Sequence, residues 1–263
     1  MLLILSALAF AEEPVFVGTE EGVEVPTAET KLVAELGGAA SAGNVDFFVL
    51  SGNLDGARLW GNHRVKLDAG GIAGRARLDA DGDGVLSDDE RTEARVENAR
   101  RIFGDLRYDR FLGEKNSLYV LGGAFADRYA GYDWRTHEQF GYSRRLLHNE
   151  TTDLVGEFGL DFAQENFVDG IDPNTANVLA ARAMLKVSHT FNDTVQLSDE
   201  VEVYENLFDR QDLRVLNTAA VTMRVSDAMS LKLSHKLVFD NVPVEGFRKA
   251  DQTATISLVA TLL

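Results

Sequence analysis

Residues 79–90 read DADGDGVLSDDE, a run whose oxygen-bearing side chains recur at the spacing of a calcium loop. It meets the pattern D-x-[DN]-x-[DN]-G-x5-E at every defined position. A hard cation such as Ca2+ takes six to eight oxygen ligands in a flexible shell. Asp79, Asp81 and Asp83 supply carboxylates at loop positions 1, 3 and 5, and Val85 offers its backbone carbonyl at position 7. Ser87 at position 9 binds directly or through water, and Glu90 at position 12 closes the shell with two oxygens. Gly84 permits the sharp turn, and Leu86 is the apolar residue that anchors such a loop to protein. A solvated acidic turn is the plainer alternative, since Asp-Gly steps also form turns.

The elements that would position this loop differ on its two sides. Downstream, DDERTEARVENARRIF (88–103) reads as a helix: Ser87 can cap it, acids fill its first turn, and Arg100 and Arg101 suit its last. Upstream of Asp79 the chain reads as extended. A strand–loop–helix site without a partner loop predicts weak binding, with a dissociation constant on the order of 10⁻⁴–10⁻³ M.

The 263-residue chain carries a formal charge of −16 and no cysteine. Such a balance excludes nucleic acid as an expected partner, because phosphate binding needs clustered Lys and Arg. Lack of cysteine excludes disulfides, thiolate metal sites and cysteine catalysis. Residues 1–11, MLLILSALAFA, resemble the apolar core of a secretion signal, with Ala9-Phe10-Ala11 as the cleavage pattern. Residues 12–30 read as a flexible periplasmic lead-in, and 31–263 as the folded domain, with 78–101 inserted in it.

From residue 31 onward the dominant period is two, the signature of strands that separate two environments. In LVGEFGLDF (154–162), Leu154, Phe158, Leu160 and Phe162 share one face, with Glu157 and Asp161 opposite. Twelve such segments are expected, near 31–42, 45–59, 63–77, 102–112, 117–130, 134–147, 153–166, 177–191, 195–207, 213–226, 230–241 and 250–262. Junctions alternate between tight turns, as at Gly61-Asn62 and Asn192-Asp193, and longer loops, as at 78–101 and 242–249, with the short junction at Gly43-Asn44 the exception. That segregation predicts an all-β, antiparallel up-and-down transmembrane β-barrel with periplasmic termini and one short helix in an extracellular loop.

The faces carry further expectations. Glu157 and Asp161, then Arg182 and Lys186, then Glu200 and Glu202, then Arg224, then Lys232 and Lys236 fall on the inner face of successive strands, where they can form charge ladders across a narrow lumen. Asp199 and His235 fall on the lipid face and are out of place there. Trp60, Trp134, Tyr108 and Tyr132 sit where an aromatic girdle would. His63, His137, His148 and His189 are expected at the interfaces.

Three segments, GNVDFFVLSGNLDGARLWG (43–61), YVLGGAFADRYAGYDWRTHEQFGYSRRL (119–146) and LKLSHKLVFDNVPVEGFRKADQTATISLVATL (231–262), together resemble the salt-induced outer-membrane protein family, a domain of unknown function. The resemblance implies an outer-membrane barrel and brings no catalytic residues. The calcium loop looks like an addition to the family pattern. The ending departs from it too, since Leu262 stands where such barrels place an aromatic residue.

The expectation is therefore a non-enzymatic barrel, structural or narrow-pored, whose second extracellular loop is ordered by calcium. Its partners would be outer-membrane lipid, including lipopolysaccharide, and the barrel-assembly machinery. A calcium-dependent lipid hydrolase would need a serine beside His235 on the outer face, and Ser234 alternates to the other. A soluble secreted calcium-binding β domain is the third reading.

Overall fold

A computed structural model describes residues 29–42, 46–77, 79 and 86–262. The segments read as secretion signal and most of the lead-in fall outside them. Twelve strands form: β1 (Glu29–Ser41), β2 (Phe47–Trp60), β3 (His63–Ala76), β4 (Val96–Phe111), β5 (Asn116–Asp127), β6 (Tyr132–His148), β7 (Thr152–Phe167), β8 (Thr175–Asn192), β9 (Val195–Asn206), β10 (Leu213–Arg224), β11 (Met229–Asp240) and β12 (Ala250–Thr261). Each pairs antiparallel with its sequence neighbours, and β1 pairs with β12 to close the barrel. The closing seam runs from Val33↔Thr261 to Gly37↔Ser257, so neither β1 nor β12 is the free edge of an open sheet. Followed from partner to partner, the register returns to β1 displaced by about 16 residues, a stagger that tilts twelve strands by roughly 45°.

Side-chain burial is inverted relative to a water-soluble sheet. Phe158 is 66% exposed and Leu36 68%, whereas Asp161 and Lys232 are each 1% exposed. A soluble sandwich would bury the phenylalanine and solvate the aspartate. Apolar side chains outward and charges inward are the distribution of a barrel that meets lipid outside and polar groups inside.

The tight turns lie at one end. Gly61, at φ 51°, turns β2 into β3 in a conformation that a side chain disfavours. Asn149 and Asn192 close their turns by accepting backbone N–H bonds, from Thr151 and Thr152 and from Thr194 and Val195 respectively. Both strand termini of the sheet share this end, and the long connections share the other.

Two expectations need correction. The helix expected over 88–103 stops early: α1 spans only Asp88–Thr92, and β4 begins at Val96. Glu97, Ala99, Arg100 and Arg101 are good helix formers, but as strand they complete a ladder with β3, and tertiary pairing overrides propensity. Arg101 consequently points inward, 3.5 Å from Asp127, instead of ending a helix. Tyr132 is not a girdle residue. A bulge between Tyr132 and Trp134 flips its side chain, which is 8% exposed and packs against Phe125 and Phe167.

Candidate functional site

The lumen gathers the charged residues that the alternation directs inward. Its centre is a chain of ion pairs spanning β3 to β9. Arg64 donates to Asp109 at 3.0 Å; Arg107 donates to the same Asp109 at 2.8 Å and to Glu157 at 2.6 Å. Glu157 also accepts from Arg182 at 2.8 Å, and Arg182 reaches Glu202 at 2.6 Å. Tyr204 ends the chain by donating its hydroxyl to Glu202 at 2.7 Å. Each carboxylate here is held by more than one donor, the condition under which buried ions are tolerated.

Arg107 and Glu157 lie on strands three apart, so something must let the guanidinium cross β5 and β6. Gly141 does. A Cβ at Gly141 would stand 2.6 Å from the Tyr119 hydroxyl oxygen and 2.7 Å from the Phe158 carbonyl. The glycine leaves a floor on which the Tyr119 ring lies, and the Arg107 guanidinium stacks 4.1 Å above that ring. Arg182 Nη1 donates to the Tyr119 hydroxyl at 2.8 Å, fixing the ring from the far side.

Toward the long-loop end, Arg135 meets Glu165 at 3.0 Å, and Arg214 meets Glu165 at 2.5 Å and Asp240 at 3.2 Å. His137 is also luminal, 3.1 Å from Asp105, not interfacial as expected, because odd-numbered β6 residues face inward along most of the strand. Across the lumen, β10 to β2 present short polar groups. Ser234 and Thr255 share a 2.7 Å hydrogen bond, and Lys232 pairs with Glu35 at 3.1 Å.

A cavity of about 290 Å³ runs between these walls. Nine Lys or Arg side chains and six Asp or Glu side chains line it, inside a chain of net charge −16. Asp127, Glu165, Asp212 and Asp240, which balance Arg101, Arg135 and Arg214, are not among the lining residues. Lys236 lines the cavity and makes no salt bridge among the described residues.

Interior charge, apolar exterior and a sealed twelve-strand wall together settle the class. The chain belongs to the DUF481 family. Its residues 34–262 match the family described as "Protein of unknown function, DUF481". Among solved structures, this DUF481 barrel is similar to the NanC porin, with a TM-score of 0.53 at 9% identity over 88% of this chain and 100% of that one. It also matches an outer membrane channel from Pseudomonas putida F1, with a TM-score of 0.42 at 14% identity over 94% of this chain and 100% of that one. The translocator domain of the autotransporter NalP from Neisseria meningitidis gives 0.48 at 14% identity, covering 89% of this chain and 88% of that domain. The NanC likeness shows the barrel fold. No curated protein matches the DUF481 chain.

Of the calcium-loop residues, Asp81, Asp83 and Val85 lie outside the described residues of the DUF481 barrel. Asp79 is exposed beyond the end of β3, and Leu86 is buried at 4% exposure. Ser87 caps α1: its hydroxyl accepts from the Glu90 backbone N–H at 3.4 Å, and Glu90 Oε2 accepts from the Ser87 N–H at 2.8 Å. Bidentate closure around calcium would require that oxygen to leave the cap. Asp46 clamps the loop's base, meeting Arg77 and Arg95 at 2.7 Å each. Arg64, Arg107, Asp109, Tyr119 and Tyr204 escaped the sequence reading as site residues. The alternation of Arg107 and Asp109 in RYDRF was the available signal.

Proposed function

We propose that this protein is a non-enzymatic outer-membrane barrel that passes small anionic solutes through a narrow charged lumen. The supporting observation is the cavity wall: nine Lys or Arg against six Asp or Glu, with Lys236 making no salt bridge among the described residues. A local surplus of one sign between low-dielectric walls concentrates ions of the other, and Lys236 would supply it here. The fold shared with the NanC porin is compatible with this reading. The ladder from Arg64 to Tyr204 keeps the constriction rigid, so selectivity would come from fixed charge. Orientation follows the usual rule that long loops face outward and termini face the periplasm. Liposome swelling with a sugar acid, its neutral analogue and an amino sugar tests the proposal. Faster entry of the acid supports it, and equal or slower entry refutes it.

Calcium belongs to this reading as the organiser of residues 79–90 above the mouth, held by Asp79, Asp81, Asp83, Val85, Ser87 and Glu90. The buried Leu86 and the Asp46 clamp give the ion a fixed base on which to draw the carboxylates together. Terbium luminescence on the folded barrel should fall in Asp79→Ala and Glu90→Gln; binding untouched by both changes removes calcium from the account. Hydrolysis is disfavoured by geometry. Ser234 is buried on the luminal side, and the strand neighbours of His235 across the ladders are Ala219 and Ala254.

A further inference from the structure

Asp199 and His235 do face outward, and the register explains what they have in common. Both pair across the ladder with Ala219: Asp199 from β9 on one side, His235 from β11 on the other. All three lie within the middle half of their strands, level with the exposed Leu185 and Leu233. Asn217, two residues from Ala219 on the same face, donates to Asp199 at 2.6 Å. Lipid tails offer no hydrogen bond or counter-charge to such groups, and polar side chains at that depth mark contact with protein or water. Glu138 on β6 also faces outward, but its ladder neighbours are Gly122 and Phe162, so no opposite charge stands beside it.

We propose that the β9–β11 wall is a two-fold interface between two copies of this chain within the bilayer. A two-fold axis along the membrane normal, passing by Ala219, exchanges left and right while keeping depth. It sets Asp199 of each copy against His235 of the other, the reciprocal pairing that an isologous contact requires. Strand tilt offsets the two by about 6 Å along the barrel axis, a gap that the imidazole and carboxylate can close by leaning toward each other. Asn217 falls near the axis, where two amides can exchange hydrogen bonds. Ala219 is small enough to let the walls approach, as small residues do where membrane segments pack.

The absence of cysteine makes the test direct. Ala219→Cys introduces the sole thiol at the proposed axis, and Val120→Cys places one at mid-strand on the outward face of β5. Under mild oxidation in native outer membranes, Ala219→Cys should give a disulfide-linked dimer at least tenfold faster than Val120→Cys. Adding Asp199→Leu and His235→Leu together should remove the advantage while heat-modifiable mobility shows that the barrel still folds. Swapping the pair, Asp199→His with His235→Asp, should restore it. Equal rates at the two positions overturn the proposal. So does native mass spectrometry showing a monomer that retains lipid or a different polypeptide on this wall.

Discussion

The two halves of the barrel wall carry inward polar residues by the same alternation and put them to different use. From β3 to β9 the inner face is interlocked: Arg64, Asp109, Arg107, Glu157, Arg182, Glu202 and Tyr204 form one connected chain, braced by Tyr119 lying on Gly141. From β10 to β2 it presents mainly Ser234, Thr255, Ser257 and Ser51, beside the Lys232–Glu35 pair, the buried Asp55 and, nearer the long loops, Arg214 paired with Asp240. Long side chains satisfied by several partners make a rigid constriction. Short hydroxyls leave room beside it. The difference suggests that one half sets the charge and shape of the lumen and the other sets its width.

The interlocked half should be the more fragile to single changes. Glu157→Ala leaves Arg107 and Arg182 without their shared carboxylate at 2% side-chain exposure, and breaking a buried pair in this way costs about 3–5 kcal/mol. Urea unfolding followed by heat-modifiable mobility should show the midpoint fall sharply, and an unchanged midpoint would mean that the ladder is ornamental. Gly141→Ala should cost less, about 1–3 kcal/mol, because the new methyl presses on the Tyr119 ring and on the Phe158 carbonyl together. Pairing it with Tyr119→Leu should recover part of the loss, since the smaller side chain vacates the floor. In the hydroxyl half, Ser234→Ala removes one 2.7 Å bond to Thr255 and should cost only about 1 kcal/mol. If Ser234→Ala proves as damaging as Glu157→Ala, the contrast between the halves fails.

The twelve strands were legible because period-two alternation is local and each strand repeats it many times. The inner ladder was legible only in part. Glu157, Arg182 and Glu202 sit on adjacent strands, so alternation alone brought them together. Arg107 reaches Glu157 across fifty positions of sequence, and that meeting depends on stagger, on Gly141 and on the lie of Tyr119, none of which a linear pattern displays. The helix over 88–103 was misjudged because its residues satisfy helical propensity, while β3 offers them a paired edge that only the folded barrel reveals. Tyr132 was misplaced by a single bulge, which reverses every face beyond it.

The central claim, that the lumen is a pore whose fixed positive charge selects anions, is tested most directly by the reversal potential of purified protein in a planar bilayer under a tenfold KCl gradient. The account predicts a potential of the sign for chloride preference, shifted toward potassium by Lys236→Glu. A cation-selective or unselective potential, or no conductance steps at all, would contradict it.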